Sequence, residues 1–185
     1  MIKTLQISEK KAWDLAFNAL VNNNTSEDNA KEVADALISA EFDGQAGHGL
    51  SRIPSYVEQL TAGKVKGTEA PSILSSKGSV IRVDAKNGFA YPAISLALKE
   101  ITTTCKNFGI AAASITRSHH FGQAGRHVEI LADNGLIGLM FGNTPKAIPP
   151  WGGTKALFGT NPIAFSAPRE NDAPMVIDMS LSKVA

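Results

Sequence analysis

The residues best suited to chemistry fall in two short motifs that contain histidine. The first is Gly47-His48-Gly49-Leu50-Ser51-Arg52, which is followed by Tyr56. Histidine gives or takes a proton near neutral pH, and arginine binds a carboxylate through two parallel hydrogen bonds. Arg52 and Tyr56 are spaced to share one face of the helix that we expect after this loop. The motif indicates acid–base chemistry beside a carboxylate, and the alternative is a capped loop with a surface arginine.

The second motif is Arg117-Ser118-His119-His120-Phe121-Gly122, directly after a predicted strand. Loops that follow strands often carry catalytic groups. Adjacent side chains on an extended segment point in opposite directions, so we expect His119 and His120 to have different roles. Because the only cysteine is Cys105 and no further ligands stand at suitable spacing, no metal site is predicted.

A third cluster is a loop region rich in glycine, proline and small polar residues, at 143–146, 149–153 and 159–162. Its backbone amides suit the phosphates or amide of a ligand, although any tight connection between strands has a similar composition. No Gly-x-Gly-x-x-Gly lies between a predicted strand and a helix, and there is no Walker A sequence. Dinucleotide binding of the Rossmann kind is therefore not predicted.

Taken in order, five motifs resemble the type 2 malate/L-lactate dehydrogenase family. They are Gly-His-Gly-Leu-Ser-Arg with Tyr56, Ser-His-His-Phe-Gly, Pro-Pro-Trp-Gly-Gly, Gly-Thr-Asn-Pro and Val-Ile-Asp-Met-Ser. That family also contains ureidoglycolate dehydrogenases, 2,3-diketo-L-gulonate reductases and reductases of cyclic imino acids. The resemblance implies a non-Rossmann NAD(P)-binding fold, built on a mostly antiparallel sheet beside a layer of N-terminal helices, in a homodimer.

The resemblance also implies an activity and its residues. The activity is hydride transfer between NAD(P)H and a small 2-oxo or 2-hydroxy acid, with NAD and NADP left as alternatives. His48 matches the proton donor of diketogulonate-reductase-like members, and His120 matches the acid/base of ureidoglycolate-dehydrogenase-like members. Arg52 and Tyr56 match substrate-binding positions. The positions that match cofactor contacts are Thr144, Asp178, Met179 and Ser180.

Three helices are expected to come first in the chain. Ser8 caps a predicted helix that runs to about Asn22, and a capping box of Thr25 and Asp28 opens a second that ends near Gly44. A third runs from about Ser51 to before Gly63, with Pro54 in its first turn.

The remainder of the chain alternates between strand and helix patterns. Residues 64–77 are expected to form a connection. The predicted strands cover 79–84, 110–116, 136–141, 163–167 and 175–179, and the predicted helices cover 92–107 and 124–133. We therefore expect an α+β fold with a helical region at 1–73 that carries His48 and Arg52. We expect residues 74–185 to form the first part of the NAD(P)-binding sheet domain, incomplete at Ala185.

Composition narrows the classes of partner. The 185 residues contain 18 Lys and Arg against 17 Asp and Glu, which does not favour nucleic-acid binding. No apolar run approaches the roughly 20 residues that cross a membrane, and the start has no secretory pattern, so a cytoplasmic protein is expected.

The chain stops soon after an apolar strand, and the resembled family is longer. We therefore expect a fragment, with the C-terminal part as a possible separate chain. Two alternatives remain open: an inactive fragment or dimerisation piece of such an enzyme, and a small-anion-binding module without redox activity.

Overall fold

The structure is a computed structural model, and it describes residues 6–180. The chain divides into two compact units, Met1–Gly122 (unit 1) and Gln123–Ala185 (unit 2). The boundary predicted between residues 73 and 74 lies in unit 1, within its first strand, Ser72–Lys77. It stays a prediction about domains.

Three helices open unit 1. They are α1 (Glu9–Val21), α2 (Glu27–Phe42) and α3 (Ile53–Thr61), which follows two turns of 3-10 helix at Ala46–His48 and Leu50–Arg52. The hydroxyl of Ser8 accepts a hydrogen bond from the amide of Lys11, as predicted for the cap of α1. Pro54 lies in the first turn of α3, where its missing donor leaves no hydrogen bond unmade.

The predicted cap of α2 was wrong by one residue. Ser26 is the N-cap, and its hydroxyl accepts from the amide of Asn29 at 3.4 Å. Thr25 turns inward against Gly67 and is 5% exposed. Its hydroxyl oxygen is buried without a hydrogen-bond partner in the described part of the chain. The spacing of Thr25 and Asp28 suited a capping box, but packing of the loop directed the threonine into the interior.

Unit 1 also contains one sheet, of strands β1 (Ser72–Lys77), β2 (Val80–Asp84) and β3 (Ala112–Thr116) in that order. β1 pairs with β2 antiparallel, and β2 pairs with β3 parallel. The parallel pair needs a crossover, which α4 (Ala90–Phe108) supplies. Residues 64–77 were predicted to be a connection, and β1 was therefore missed. It is an edge strand that is interrupted by a bulge, and its side chains are exposed or half-buried.

The core of unit 1 has two parts. One lies between the sheet and α4, where Ile81 and Val83 pack with Ala93 and Ala97. The other joins the helices to the start of α4, and its buried members are Leu20, Ala30, Val33, Ala36, Leu37, Tyr56, Val65, Phe89 and Tyr91. The second part therefore brings α3 and α4 together through aromatic side chains.

Unit 2 consists of α5 (Ala124–Asp133) and the strands β4 (Gly138–Phe141), β5 (Ile163–Arg169) and β6 (Asp172–Met179). Both pairings, β4 with β5 and β5 with β6, are antiparallel. The bounds of α5 match the prediction. β6 begins earlier than predicted because a two-residue turn, with Asn171 at φ 57°, joins it tightly to β5.

The two faces of the unit 2 sheet differ. α5 packs on the face that contains Gly138, Ala164 and Ser166, all of which are buried. The register places a continuous apolar set on the opposite face, and most of its members are exposed: Leu139, Phe141, Ile163, Phe165, Met175, Ile177 and Met179. An exposed apolar area of this kind marks a contact surface in soluble proteins.

The α+β class is confirmed, and most described strand pairings are antiparallel as expected. The strands form two three-stranded sheets rather than one. Among the described residues, no helix combines the length and apolar character needed to span a membrane.

The corrected cap of α2 gives a matched test. Ser26→Ala should lower the free energy of unfolding by about 1 kcal/mol, because it removes the acceptor for the amide of Asn29. Thr25→Val removes a buried hydroxyl that has no described partner, so it should cost nothing or stabilise slightly. Urea unfolding followed by circular dichroism measures both variants. A larger loss in Thr25→Val than in Ser26→Ala would restore Thr25 as the cap.

Candidate active site

The loop that carries His48 is held by a carboxylate of the preceding helix. Glu41, in the last turn of α2, accepts a hydrogen bond from the amide of Leu50 at 2.7 Å. Its side chain occupies the space beside Gly49, where an added Cβ would lie 2.2 Å from the carboxylate oxygen. A side chain at position 49 would therefore displace the Glu41 carboxylate, which in the structure holds the backbone next to His48.

Arg52 is held against the same loop. Its Nε donates a hydrogen bond to the carbonyl oxygen of Gly47. In the same loop the hydroxyl of Ser51 donates to the carbonyl oxygen of Ala46. No acidic side chain among residues 6–180 forms an ion pair with Arg52. A half-buried guanidinium without a protein carboxylate has the chemistry to bind a ligand carboxylate.

The segment that carries the two adjacent histidines is anchored where β3 ends. Arg117 has a left-handed backbone, φ 53°. Two nitrogens of its guanidinium, Nε and Nη2, donate to the two carboxylate oxygens of Asp84. This bidentate contact lowers the pKa of the Asp84 carboxyl. The amide of Asn87 donates to the carbonyl of Arg117 at 2.8 Å, and the amide of His119 donates to that of Gly88 at 3.2 Å. Arg117 is therefore a structural residue.

The fold of unit 1 brings the two predicted motifs together. Nδ1 of His120 lies 2.8 Å from the hydroxyl of Tyr56 and 3.3 Å from the amide nitrogen of Gly122. The imidazole of His120 stacks on that of His48, with ring centroids 5.6 Å apart and planes within 6°. His48, Tyr56 and His120 thus form one cluster.

His119 has a different hydrogen-bond partner from His120, although the two ring centroids lie 6.4 Å apart and both rings contact Tyr56. Its Nε2 lies 2.9 Å from the amide oxygen of Gln59, whose amide nitrogen donates to Ser55. Its ring makes edge contacts with Tyr56 and Phe89. Nδ1 of His119 is buried without a partner in the described chain. His119 therefore packs behind the cluster.

Burial sets the protonation of these groups. Burial, with repulsion from Arg52, His48 and His119, lowers the pKa of His120 to about 3. Burial and the charge of Lys64 lower the pKa of His119 to about 4. Burial and the neighbouring Tyr91 raise the pKa of Tyr56 above its ordinary value, so it is a neutral phenol. Both histidines are therefore neutral at pH 7 in the free protein.

Sequence reasoning missed Tyr91. Its hydroxyl lies 3.0 Å from that of Tyr56, inside the core, and a Cβ on Gly122 would approach it to 2.5 Å. Gly122 also has φ 68°, so glycine is needed there for two reasons. The available signal was chemical: a tyrosine at the start of a buried helix requires a partner for its hydroxyl.

The predicted cofactor positions lie in unit 2, where a further residue, Thr160, connects Thr144 with Ser180. The hydroxyls of Thr144 and Thr160 are 3.1 Å apart, and the side chain of Asn161 accepts from the amide of Thr144. The hydroxyl of Ser180 donates to the carbonyl of Thr160 at 3.4 Å. Thr160 stands in the Gly-Thr-Asn-Pro motif but was not singled out from the sequence.

Asp178 and Met179 lie on opposite faces of β6. The carboxylate of Asp178 accepts from the amide of Gly125 at 2.6 Å, so it caps the start of α5, where the N-cap residue makes no side-chain cap. Met179 is on the exposed apolar face. The run Asp178–Ser180 thus does not present its side chains as one set.

Comparison with known proteins decides the family. The model of the Malate/L-lactate dehydrogenase family matches residues 7–185. The chain belongs to this family. It is similar to a (2R)-3-sulfolactate dehydrogenase (NADP(+)) of Chromohalobacter salexigens, with 48% identity over 97% of this chain and 54% of the relative. It is also similar to a Δ1-pyrroline-2-carboxylate/Δ1-piperideine-2-carboxylate reductase of Pseudomonas syringae pv. tomato, with 37% identity over 98% of this chain and 53% of the relative.

Solved structures give the same result. The Δ1-piperideine-2-carboxylate reductase from Pseudomonas syringae superposes with a TM-score of 0.93 at 37% identity, covering 98% of this chain and 55% of the other. Malate dehydrogenase from Entamoeba histolytica gives 0.92 at 27% identity, covering 98% and 50%. The chain spans about half the length of these relatives.

The lowered pKa values predict how stability depends on pH. An unfolded histidine takes up its proton near pH 6.5, whereas folded His119 and His120 do so only near pH 4 and pH 3. Between these values the unfolded chain binds more protons, so the free energy of unfolding should fall as the pH falls. His119→Gln should reduce this slope between about pH 6.5 and pH 4, as measured by urea unfolding at several pH values. An unchanged slope would mean that folded His119 titrates normally.

Proposed function

We propose that this chain is part of an oxidoreductase that transfers a hydride between NAD(P)H and a small acid with a carboxylate next to a carbonyl or imine carbon. The observation that carries the proposal is the cluster of His48 and His120 beside Arg52, a cation without a carboxylate partner in the described chain. The names of the relatives support it, since sulfolactate, malate and pyrroline-2-carboxylate share a carboxylate next to the reacting carbon.

In the proposed reaction Arg52 binds the substrate carboxylate and fixes its orientation. Either His48 or His120 gives a proton to the oxygen or nitrogen at the reacting carbon in reduction and removes it in oxidation. Tyr56 orients His120 through its hydroxyl. The nicotinamide cofactor, when bound, supplies the hydride to that carbon.

The cofactor contacts are proposed for unit 2. The hydroxyls of Thr144, Thr160 and Ser180 are connected by hydrogen bonds, and they would supply polar contacts to the phosphates or amide of a dinucleotide. Asp178 and Met179 are included from the family resemblance. We propose NADP over NAD because NADP(+) is named for the relative with 48% identity.

Two assembly states are proposed with this activity, a homodimer and association with further polypeptide such as a separate C-terminal part. The exposed apolar face of the unit 2 sheet supports a covering partner. So does the length of the relatives, about twice that of this chain.

The same apolar face favours one competing proposal, an inactive fragment or dimerisation piece of such an enzyme. A small-anion-binding module would use Arg52 and the histidines without redox chemistry. Intact mass measurement followed by fluorescence titration with NADH and NADPH separates these cases. Cofactor binding with a heavier or co-purifying species supports the dehydrogenase, and NADPH should bind more tightly than NADH. A 19.5 kDa species that binds neither cofactor supports the fragment, and anion binding without any cofactor effect supports the module.

The role of Arg52 gives a kinetic prediction. Arg52→Lys should raise the KM for a 2-oxo acid about 10- to 100-fold with a smaller change in kcat, because a point charge replaces a bidentate donor. Arg82→Lys is the matched control, since Arg82 is exposed on β2 and its variant should keep the KM of the parent. Equal KM values in the two variants would remove Arg52 from substrate binding.

A further inference from the structure

The geometry points to a single form of His120, a neutral imidazole with its proton on Nε2, which acts as a hydrogen-bond donor and not as the proton source. Tyr56, Tyr91 and Gly122 hold this form. The inferred tautomer rests on contacts within unit 1 alone. The role toward substrate rests on the proposed function.

The backbone of Gly122 fixes which nitrogen carries the proton. Its amide lies 3.3 Å from Nδ1 of His120, and an amide N–H only donates. Nδ1 must therefore present its lone pair. Since a neutral imidazole carries one proton, that proton is on Nε2.

The lone pair on Nδ1 then sets the direction of the two tyrosine hydrogen bonds. Nδ1 accepts, so the Tyr56 hydroxyl at 2.8 Å donates to it. A hydroxyl has one proton, and Tyr56 therefore accepts from the Tyr91 hydroxyl at 3.0 Å. The donors run from Tyr91 to Tyr56 to His120, which makes Tyr91 a positioning residue.

Nε2 is the remaining polar atom of the ring. It has no hydrogen-bond partner among the described residues. It is also absent from the buried polar atoms that lack a partner, so it is accessible to solvent. Its N–H is therefore open to a ligand. On the proposed function it donates to the oxygen of the substrate carbonyl.

The hydrogen-bond donors and the positive groups around His120 oppose its protonation. A proton on Nδ1 would face the amide proton of Gly122 and would force the Tyr56 hydroxyl to reverse. The positive groups around the ring are Arg52 and, when protonated, His48 and His119, and each disfavours a further cation. His120 is therefore a poor acid, and in oxidation its Nε2 has no lone pair with which to act as a base.

The proton then comes from His48, whose ring stacks on His120. In reduction the carbonyl carbon accepts hydride from NAD(P)H, which becomes NAD(P)+. The carbonyl oxygen takes a proton from the His48 imidazolium, which becomes neutral. His120 keeps its proton throughout and donates a hydrogen bond to the same oxygen.

Long-range proton–nitrogen correlation spectra of the 15N-histidine-labelled protein test the tautomer without turnover. Loss of signals in His120→Gln assigns the resonances. We expect His120 to show the Nε2–H pattern, unchanged from about pH 8 to pH 5. An Nδ1–H pattern, or titration of His120 near pH 6.5, would overturn the inference.

Two variants test the hydroxyl chain with the same signal. Tyr56→Phe should bring the pKa of His120 closer to its ordinary value, because the lost donor favoured the neutral ring. Tyr91→Phe should shift it in the same direction by less, since Tyr91 acts through Tyr56. Thr103→Ala, on an exposed position of α4, is the control. If neither tyrosine variant moves the His120 signals, the chain of donors is wrong.

Kinetics test the role toward substrate. His120→Gln keeps an N–H donor and should lower kcat/KM only about tenfold, with the pH profile of the parent. His48→Gln should lower kcat/KM about 100- to 10,000-fold, and the pH profile of kcat/KM should lose the ionisation of the general acid. The reverse pattern would make His120 the acid. The Nε2–H spectrum without turnover would contradict the proposed function alone, whereas turnover with a titrating His120 would contradict this inference alone.

Discussion

The site in unit 1 depends on the hydroxyl of Tyr56, which is 1% exposed at the centre of the core. An unpaired buried hydroxyl costs about 1–3 kcal/mol, so this group has to be paired. Tyr91 and His120 supply the partners from α4 and from the segment after β3. The same ring packs against Phe89 and His119. Core packing and site geometry are therefore one constraint, because movement of α3 against α4 would displace His120.

Two glycines let the backbone approach closely enough for this arrangement. At position 49 the space of a side chain is filled by Glu41, whose carboxylate holds the loop beside His48. At position 122 it is filled by the hydroxyl of Tyr91, and the amide of Gly122 donates to Nδ1 of His120. Each motif thus has a glycine within two residues of its histidine, and a side chain from elsewhere in unit 1 lies against the backbone there.

The predictable parts of the fold are those set by local sequence. Ser8 and the bounds of α5 follow from capping and from the helical period. The sequence also located His48, Arg52, Tyr56 and His120 as candidates. What it missed depends on distant contacts: burial against Gly67 removed Thr25 from the cap, pairing with β2 made β1 a strand, and Tyr91 belongs to the site only because α4 packs on α3.

The two units differ in how much of their apolar and polar surface is covered by contacts within the same unit. In unit 1 the positions of Tyr56, His119 and His120 are fixed by hydrogen bonds and ring contacts that begin and end within that unit. In unit 2 one sheet face is covered by α5, and the opposite face exposes Leu139, Phe141 and Ile177. Further polypeptide would therefore change the surroundings of the unit 2 sheet directly. The direction of the hydrogen bonds to His120 needs no such partner, because the amide proton of Gly122 fixes the lone pair on Nδ1 and with it the direction of both phenol hydrogen bonds.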